Sequence, residues 1–293
     1  VGYGADRFGI LPAPASKLFT RLLMNITLPA TVLTSLVQPY DPSFLSSGLL
    51  IVALGTFFYL LYGAICALLV RPLRVPEGKR GVWILACTFS NNGFMGFPIS
   101  LALFGEEGLV LAVFLGIPFN LLAYTLGPKL VCMDRAAAGN APPLSWRSLL
   151  LTPVNVTTLL GLLLYGVQIS IPGVLDAPLT YLSNVTTPLS MLIIGMNLTG
   201  GKLSSLLRDR DVFSASFLRL LLLPLLTWGV LRLLPLDAPL VVGVLVIIMA
   251  MPAAAVTSLL AETYDANTEF AAELVFLSSL LCLATIPLIS LLL

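Results

Sequence analysis

The chain alternates long apolar runs with short polar breaks along almost its whole length. Nine of these runs are about as long as an α-helix that crosses a bilayer, which needs about 20 residues. The apolar run at residues 1–11 is too short to cross, and we expect it to be the end of a tenth, truncated span. The nine longer spans are predicted at residues 16–38, 46–70, 81–104, 108–131, 149–169, 175–199, 212–234, 240–261 and 270–293.

The composition fits a protein that lies within lipid. Hydrophobic residues make up 58% of the chain and charged residues 10%, whereas soluble domains carry about 25% charged residues. We therefore predict an all-α membrane protein with ten transmembrane helices, the first of them truncated. The net charge of +1 argues against a nucleic-acid partner. The chain has no histidine and its four cysteines are scattered, so we expect no cofactor, no metal site and no enzymatic activity.

Basic residues in the loops predict the orientation of the spans. The third loop holds Arg71, Arg74, Lys79 and Arg80, and the other odd-numbered loops up to the seventh also carry Lys or Arg. The even-numbered loops hold almost none, Arg232 being the exception. Since Lys and Arg concentrate in cytoplasmic loops, the odd loops are predicted to face the cytoplasm. This places the chain in the cytoplasmic membrane with both termini on the extracytoplasmic side.

The longest loop divides the spans into two groups of five. We predict a first repeat at residues 1–131, a cytoplasmic linker at 132–148 and a second repeat at 149–293. The two halves echo each other, most clearly in Asn25-Ile26-Thr27-Leu28-Pro29 and Asn184-Val185-Thr186-Thr187-Pro188. A repeat with an odd number of spans inserts in the opposite orientation to its copy, which predicts an inverted pair.

The fourth span contains residues that interrupt a membrane helix. Ser90-Asn91-Asn92-Gly93-Phe94-Met95-Gly96-Phe97-Pro98 combines paired amides, two glycines and a proline near the middle of the span. Pro252 lies at a similar depth in the ninth span. Such interruptions occur where the backbone is buried in protein or lines a cavity, and they mark the binding sites of transporters. Inverted topology predicts that the two interruptions cross at the midplane, where helix N-termini favour an anion.

These features predict the functional residues, each with a structural alternative. Asn91 and Asn92 could instead hydrogen-bond neighbouring helices, and the glycines could serve close packing. Arg219 lies inside the eighth span and, with Glu262, is a candidate for ion coupling, although snorkelling to the membrane surface explains Arg219 equally well. The predicted substrate-binding residues are Asn91, Asn92, Gly93, Gly96, Pro252, Ala253 and Asn155.

The two interrupted spans also carry ordered motifs. The motif residues are Asn91, Met95, Gly96 and Pro98 in the fourth span and Ala250, Pro252, Val256 and Tyr264 in the ninth. They resemble the auxin efflux carrier family, which includes the plant PIN exporters and bacterial carriers for malate and malonate. The plant fourth span has Pro-Asn-Thr-Leu-Val-Met-Gly-Ile-Pro, and the plant ninth span has Ala-Leu-Pro followed by Val and Tyr. The resemblance covers essentially the whole chain.

The resemblance implies a fold similar to sodium/bile-acid symporters and an elevator mechanism. It implies that Asn91 binds the substrate and that Pro252 is the crossover proline. We therefore expect a secondary active transporter for a small organic anion, a carboxylate like auxin or malate. The alternatives are a sodium-coupled uptake carrier of the same fold and a transporter-like membrane sensor. Coupling to protons or sodium and assembly as a homodimer are left open.

Overall fold

The computed structural model describes residues 2–11, 15–37, 42–133, 151–197 and 209–293. Within these ranges the protein is helical, and no strand forms beyond one isolated β-bridge. Most of the predicted linker, residues 134–148, lies outside the described residues. The helices are α1 (Gly2–Arg7), α2 (Ala15–Leu22), α3 (Leu28–Leu36), α4 (Pro42–Leu69), α5 (Arg80–Thr88), α6 (Phe97–Val131), α7 (Pro153–Val167), α8 (Gly173–Asn197), α9 (Arg210–Phe217), α10 (Leu223–Leu233), α11 (Pro239–Met249), α12 (Val256–Thr263) and α13 (Thr268–Ser290).

Short π-helical turns at Leu23–Thr27, Asn92–Gly96 and Leu218–Leu222 modify this pattern. The first joins α2 to α3 and the third joins α9 to α10, so each pair forms one continuous helical segment. The second lies directly before α6, next to an interruption of the helix. Such turns are rare and frequently occur at functional sites.

Several helices have the length and apolarity of membrane spans. Among the described residues, the segments Leu45–Leu69, Asn92–Val131, Arg210–Leu233 and Thr268–Ser290 are long enough to cross a bilayer, while α7 and α11 are shorter apolar helices. Large apolar side chains also cover the outer surface, and Leu68 is 75% exposed. Contact with lipid accounts for such a surface, since water would disfavour it. The chain is thus an integral, multi-pass membrane protein.

A glycine separates the predicted fourth and fifth spans. The segment α6 runs through both spans, but Gly105 within it has φ 68° and ψ −161°, which is not helical. Glycine adopts positive φ without the steric penalty of a side chain. The chain therefore turns at Gly105, between the exposed residues Glu106 and Leu103, and this turn divides α6 into two helical parts.

The interruptions predicted in the fourth and ninth spans are present, and they contact each other. In the predicted fourth span, α5 ends at Thr88. In the predicted ninth span, α11 ends at Met249. Extended backbone follows α5 at Phe89, a turn follows α11 at Ala250, and Ser90 forms an antiparallel bridge with Ala253. Pro98 lies in the first turn of α6, where proline is tolerated because its missing N–H has no helical partner. The local sequence thus produces two broken helices that cross.

The helices pack as two groups. The helices α1, α2, α3, α7 and α8 contact chiefly one another, and we call them the outer group. The other helices, including both broken segments, form the crossing group around a continuous apolar core. The two groups meet mainly where α3, α7 and α8 face α6 and the π-helical turn before it. Two cavities lie along this boundary.

Candidate functional site

The crossing of the two broken segments is held by main-chain hydrogen bonds. The Asn91 N–H donates to the Pro252 carbonyl at 2.9 Å, and the Ala254 N–H donates to the Phe89 carbonyl at 3.0 Å. An unpaired backbone group costs several kcal/mol in hydrocarbon. These two main-chain hydrogen bonds therefore explain how the chain tolerates non-helical backbone inside an apolar protein.

A cavity of about 290 Å³ lies beside the crossing. Its size is near the lower end of the range for small-molecule sites, about 300–1,000 Å³. Four amide side chains line it, those of Asn25, Asn91, Asn92 and Asn120. The apolar and aromatic residues of the lining include Met24, Leu28, Phe94, Phe97, Phe119, Val256 and Leu259. The site combines a few polar groups with an apolar wall, as ligand pockets do.

The helix ends around this cavity favour negative charge. Ala254, Ala255 and Val256 line it and include the beginning of α12. The free N–H groups and the dipole at a helix N-terminus attract anions. Among the described residues that line the cavity, none is Asp, Glu, Lys or Arg. Fixed dipoles and amides therefore determine its electrostatics.

Asn92 is the most constrained of the four amides. It is 1% exposed, and its Oδ1 has no hydrogen-bond partner among the described residues. Glycines give the amide its space, because a Cβ at Gly96 would lie 3.1 Å from Asn92 Oδ1 and one at Gly116 would lie 3.6 Å from Asn92 Nδ2. Buried polar groups in proteins are almost always paired. The unpaired atom is an acceptor enclosed by the protein, so Nδ2 is the part of this amide that can donate to an anionic ligand.

A second cavity of about 630 Å³ lies along the same boundary between the helix groups. Hydroxyl groups of α3 and α8 dominate its lining, with Asn184 and Glu106. Phe97 is the residue common to the linings of both cavities, and its side chain is 4% exposed. The first cavity contacts α2 and the turn after it, and the second contacts α3 of the same helical segment. The two cavities therefore adjoin each other at Phe97.

Arg219 also contacts the crossing, although it does not line either of these cavities. It is 1% exposed and donates hydrogen bonds to carbonyls of both broken segments, which include Cys87 in the fourth span and Met251 in the ninth. The snorkelling alternative is wrong, because the guanidinium lies inside the protein. Arg219 instead binds the backbone that surrounds the crossing.

The structure brings together most of the predicted binding residues but not all. Asn91, Asn92 and Gly93 line the smaller cavity, and Gly96 borders the Asn92 amide. Pro252 and Ala253 form the crossing itself, where the Ala253 N–H donates to Ser278 Oγ at 3.1 Å. The predicted residues that neither line the cavity nor contact the crossing are Asn155, in the first turn of α7, and Glu262, which is exposed near the end of α12.

Sequence reasoning missed several residues of the cavity. Asn120 is an amide within an otherwise apolar span, which was a usable indication of a site. Thr152 and Val154 reach the cavity, whereas the neighbouring amide of Asn155 does not. Phe97 had no local signal, because an aromatic residue in an apolar span is normally packed in a core. Its place between two cavities depends on the packing of the helix groups.

Interrupted helices that cross beside a cavity in an apolar helical protein are typical of membrane transporters. The comparison with known families agrees with this class. A family model described as membrane transport protein matches residues 1–290. The chain belongs to this family, which is that of the auxin efflux carriers.

Individual relatives cover most of the chain. An uncharacterized transporter of Methanothermobacter thermautotrophicus is 29% identical over 290 residues, which cover 98% of this chain and 92% of the relative. One from Methanocaldococcus jannaschii is 26% identical over 295 residues, with 98% and 93% coverage. The transporter YfdV of Escherichia coli K12, also uncharacterized, is 23% identical over 235 residues, with 77% and 72% coverage. The similarity supports transport as the function of the chain.

Proposed function

We propose that this chain is a secondary active transporter that carries a small organic anion, a carboxylate like auxin or malate, across the cytoplasmic membrane. The observation that carries the proposal is the 290 Å³ cavity beside the crossing, lined by four amides. The substrate binds there, close to the midplane of the bilayer. Asn91 and Asn92 donate hydrogen bonds to its carboxylate from amide N–H groups.

The charge of the substrate follows from the dipoles around the cavity. The helix α12 begins at the cavity, and its N-terminal N–H groups stabilise an anion. Amides can donate or accept, so they bind a carboxylate without carrying a charge of their own. The apolar and aromatic part of the lining receives the carbon skeleton of the substrate. An organic anion therefore fits the site better than an inorganic cation.

The architecture that we propose is a pair of inverted five-helix repeats, at residues 1–131 and 149–293, similar to sodium/bile-acid symporters. The hydrogen bonds of Asn91 with Pro252 and of Ala254 with Phe89 support it. Each broken segment donates one main-chain N–H to the other, as two equivalent segments of a repeat would. Ten spans follow if the first is truncated. The linker between the repeats is cytoplasmic in this arrangement. In a homodimer, the second copy would pack against helices other than the two broken segments.

Transport proceeds in this proposal by an elevator movement of the crossing group against the outer group. Both cavities lie along the boundary between these groups, so movement there would transfer access from one cavity to the other. With both termini extracytoplasmic, the smaller cavity lies towards the cytoplasm, because it contacts the beginning of α7 and the first half of the predicted span 16–38. The described conformation is then the inward-facing one.

The test is a transport assay on purified protein in liposomes. A panel of radiolabelled mono- and dicarboxylates would be screened for uptake, and thermal stabilisation by the same acids would report binding. Asn91→Ala should abolish both signals and leave the variant folded, whereas Asn155→Ala, outside the cavity, should retain them. Normal uptake by Asn91→Ala would refute the site, and stabilisation by none of the acids would refute the substrate class.

A further inference from the structure

Arg219 is buried without an acidic partner. Its side chain is 1% exposed, and within the described residues no carboxylate oxygen lies within 4.0 Å of its guanidinium. Burying an unpaired charge costs several kcal/mol even after relaxation. The groups that offset this cost must therefore be found among its uncharged neighbours.

Those neighbours are backbone carbonyls at the ends of two helices. Arg219 Nη1 donates to the Cys87 carbonyl at 3.1 Å and to the Thr88 carbonyl at 3.3 Å, and both residues end α5. Arg219 Nη2 donates to the Met249 carbonyl at 2.9 Å, and Nε donates to the Met251 carbonyl at 3.0 Å. Met249 is the last residue of α11. One guanidinium thus binds the carboxyl ends of both broken helices.

Without the guanidinium, these carbonyls would lack these hydrogen-bond donors. The last carbonyls of a helix have no helical partner, and the helix dipole places negative partial charge there. Two such ends meeting in a membrane make a favourable cation site, and unwound carbonyls at broken helices coordinate sodium in other transporters. Four carbonyl oxygens converge here on a charge that the chain itself supplies.

The surroundings leave no space for a hydrated ion. The cleft around the guanidinium is too narrow for a water molecule, and small side chains enclose it. The residues of this cleft besides Arg219 are Ala86, Ala215, Ser216, Ala253, Leu274 and Ser278. The Tyr62 ring lies 5.7 Å from the Arg219 guanidinium carbon, which adds a cation–π contact.

We infer that Arg219 is a tethered cation that takes the place of an exchangeable coupling cation at the crossing. It neutralises the carboxyl ends of α5 and α11. The amino terminus of α12 remains free to attract the substrate anion. Sodium binding at this point is therefore neither needed for folding nor available to drive transport. The inference deepens the proposed function, and its consequence for transport rests on that function.

The test measures whether added cations replace the guanidinium. The melting temperature of purified protein would be measured in choline chloride, sodium chloride and methylguanidinium chloride at equal ionic strength. The wild-type value should be the same in all three. Arg219→Ala should melt lower in choline and gain about 3 °C from sodium or methylguanidinium at ten times the dissociation constant of the ion. The matched control is Arg232→Ala, because Arg232 is exposed over the Trp228 ring and should show no cation-specific gain.

Each outcome decides the inference. A sodium-specific rise in the wild-type melting temperature would overturn it, since the crossing would then still bind an exchangeable ion. An Arg219→Ala protein that folds without any cation-specific gain would also overturn it. If Arg219→Ala folds only when sodium or methylguanidinium is present, the inference is supported. If it folds in none of the salts, Arg219→Lys decides, because retained charge should restore a folded, cation-insensitive protein and failure to do so contradicts the inference.

These measurements need no substrate, so they are independent of the proposed transport activity. Failure to find a transported acid would leave the cation result standing. Conversely, a wild-type protein that takes up an acid only under a sodium gradient would contradict the tethered cation and leave the anion site intact. The two proposals therefore fail separately.

Discussion

Replacing Phe97 by Ala should join the two cavities and make the protein leak. Phe97 is the residue that both linings share, and its ring is 4% exposed between spaces of about 290 and 630 Å³. We expect removal of the ring to connect the two cavities along α2, α3 and α6. The alternating access that we propose requires that the two sides are never open together, so the variant should lose this separation.

The cost in stability can be worked from the burial of the ring. Truncating a buried Phe to Ala costs about 3–5 kcal/mol, and cavities on both sides of Phe97 favour the lower end, about 3 kcal/mol. For a chain of this size, that corresponds to a fall in melting temperature of about 6 °C. The variant should thus remain folded at room temperature, and the leak can be measured on intact protein.

The assay is iodide efflux from liposomes that contain the purified protein, followed with an iodide-selective electrode. Wild-type vesicles should retain iodide, and Phe97→Ala vesicles should lose it several-fold faster. The control is Phe58→Ala, because Phe58 is fully buried in α4 and lines neither cavity. Equal leakage from both variants would attribute the effect to general destabilisation. Tight Phe97→Ala vesicles would refute the assignment of Phe97 as the barrier.

Two further predictions concern binding and acid stability. Gly116→Val should abolish substrate binding, because its branched carbons enter the space of the Asn92 amide. Gly116→Ala should bind normally, since its Cβ would lie 3.6 Å from Asn92 Nδ2, in ordinary contact. Thermal shift with the transported acid compares the two variants, and equal binding by both would contradict the role of Asn92. Partial burial raises the pKa of Asp209, but hydrogen bonds from the first N–H groups of α9 and from Lys79, 3.2 Å away, outweigh it, so the pKa lies below its ordinary value of 3.8. A lowered folded-state pKa gives stability that is present above pH 3.8 and lost as the pH falls through the lowered value. Wild-type protein should therefore melt about 2 °C above Asp209→Asn at pH 7, and the difference should vanish in acid; a difference that is independent of pH would contradict this.

The broken helices could be predicted because their causes are local. Paired amides, glycines and Pro98 weaken a helix wherever they occur, and Pro252 removes a backbone donor from the ninth span. Apolar runs likewise predict spans from their length alone. These features act on the backbone of their own segment, so no knowledge of the neighbouring helices is needed to recognise them.

The remaining parts of the site depend on how helices rotate against one another. Asn120 and Asn155 are both amides in apolar spans, yet only Asn120 lines the cavity, because the packing of each helix decides which face meets it. The same limit applies to Arg219. Its sequence position is compatible with snorkelling, and only the approach of α5 and α11 supplies the carbonyls that bind it.

The two reciprocal backbone hydrogen bonds at the crossing have an evolutionary consequence. Because main-chain atoms of Asn91, Pro252, Ala254 and Phe89 hold the segments together, most side chains around the cavity are not needed to maintain the architecture. Substitutions at exposed lining residues such as Asn25 can then alter the chemistry of the proposed binding site at little cost to the framework. A single scaffold of this kind can diversify into carriers for many different acids, and engineering of new selectivity should begin with those positions.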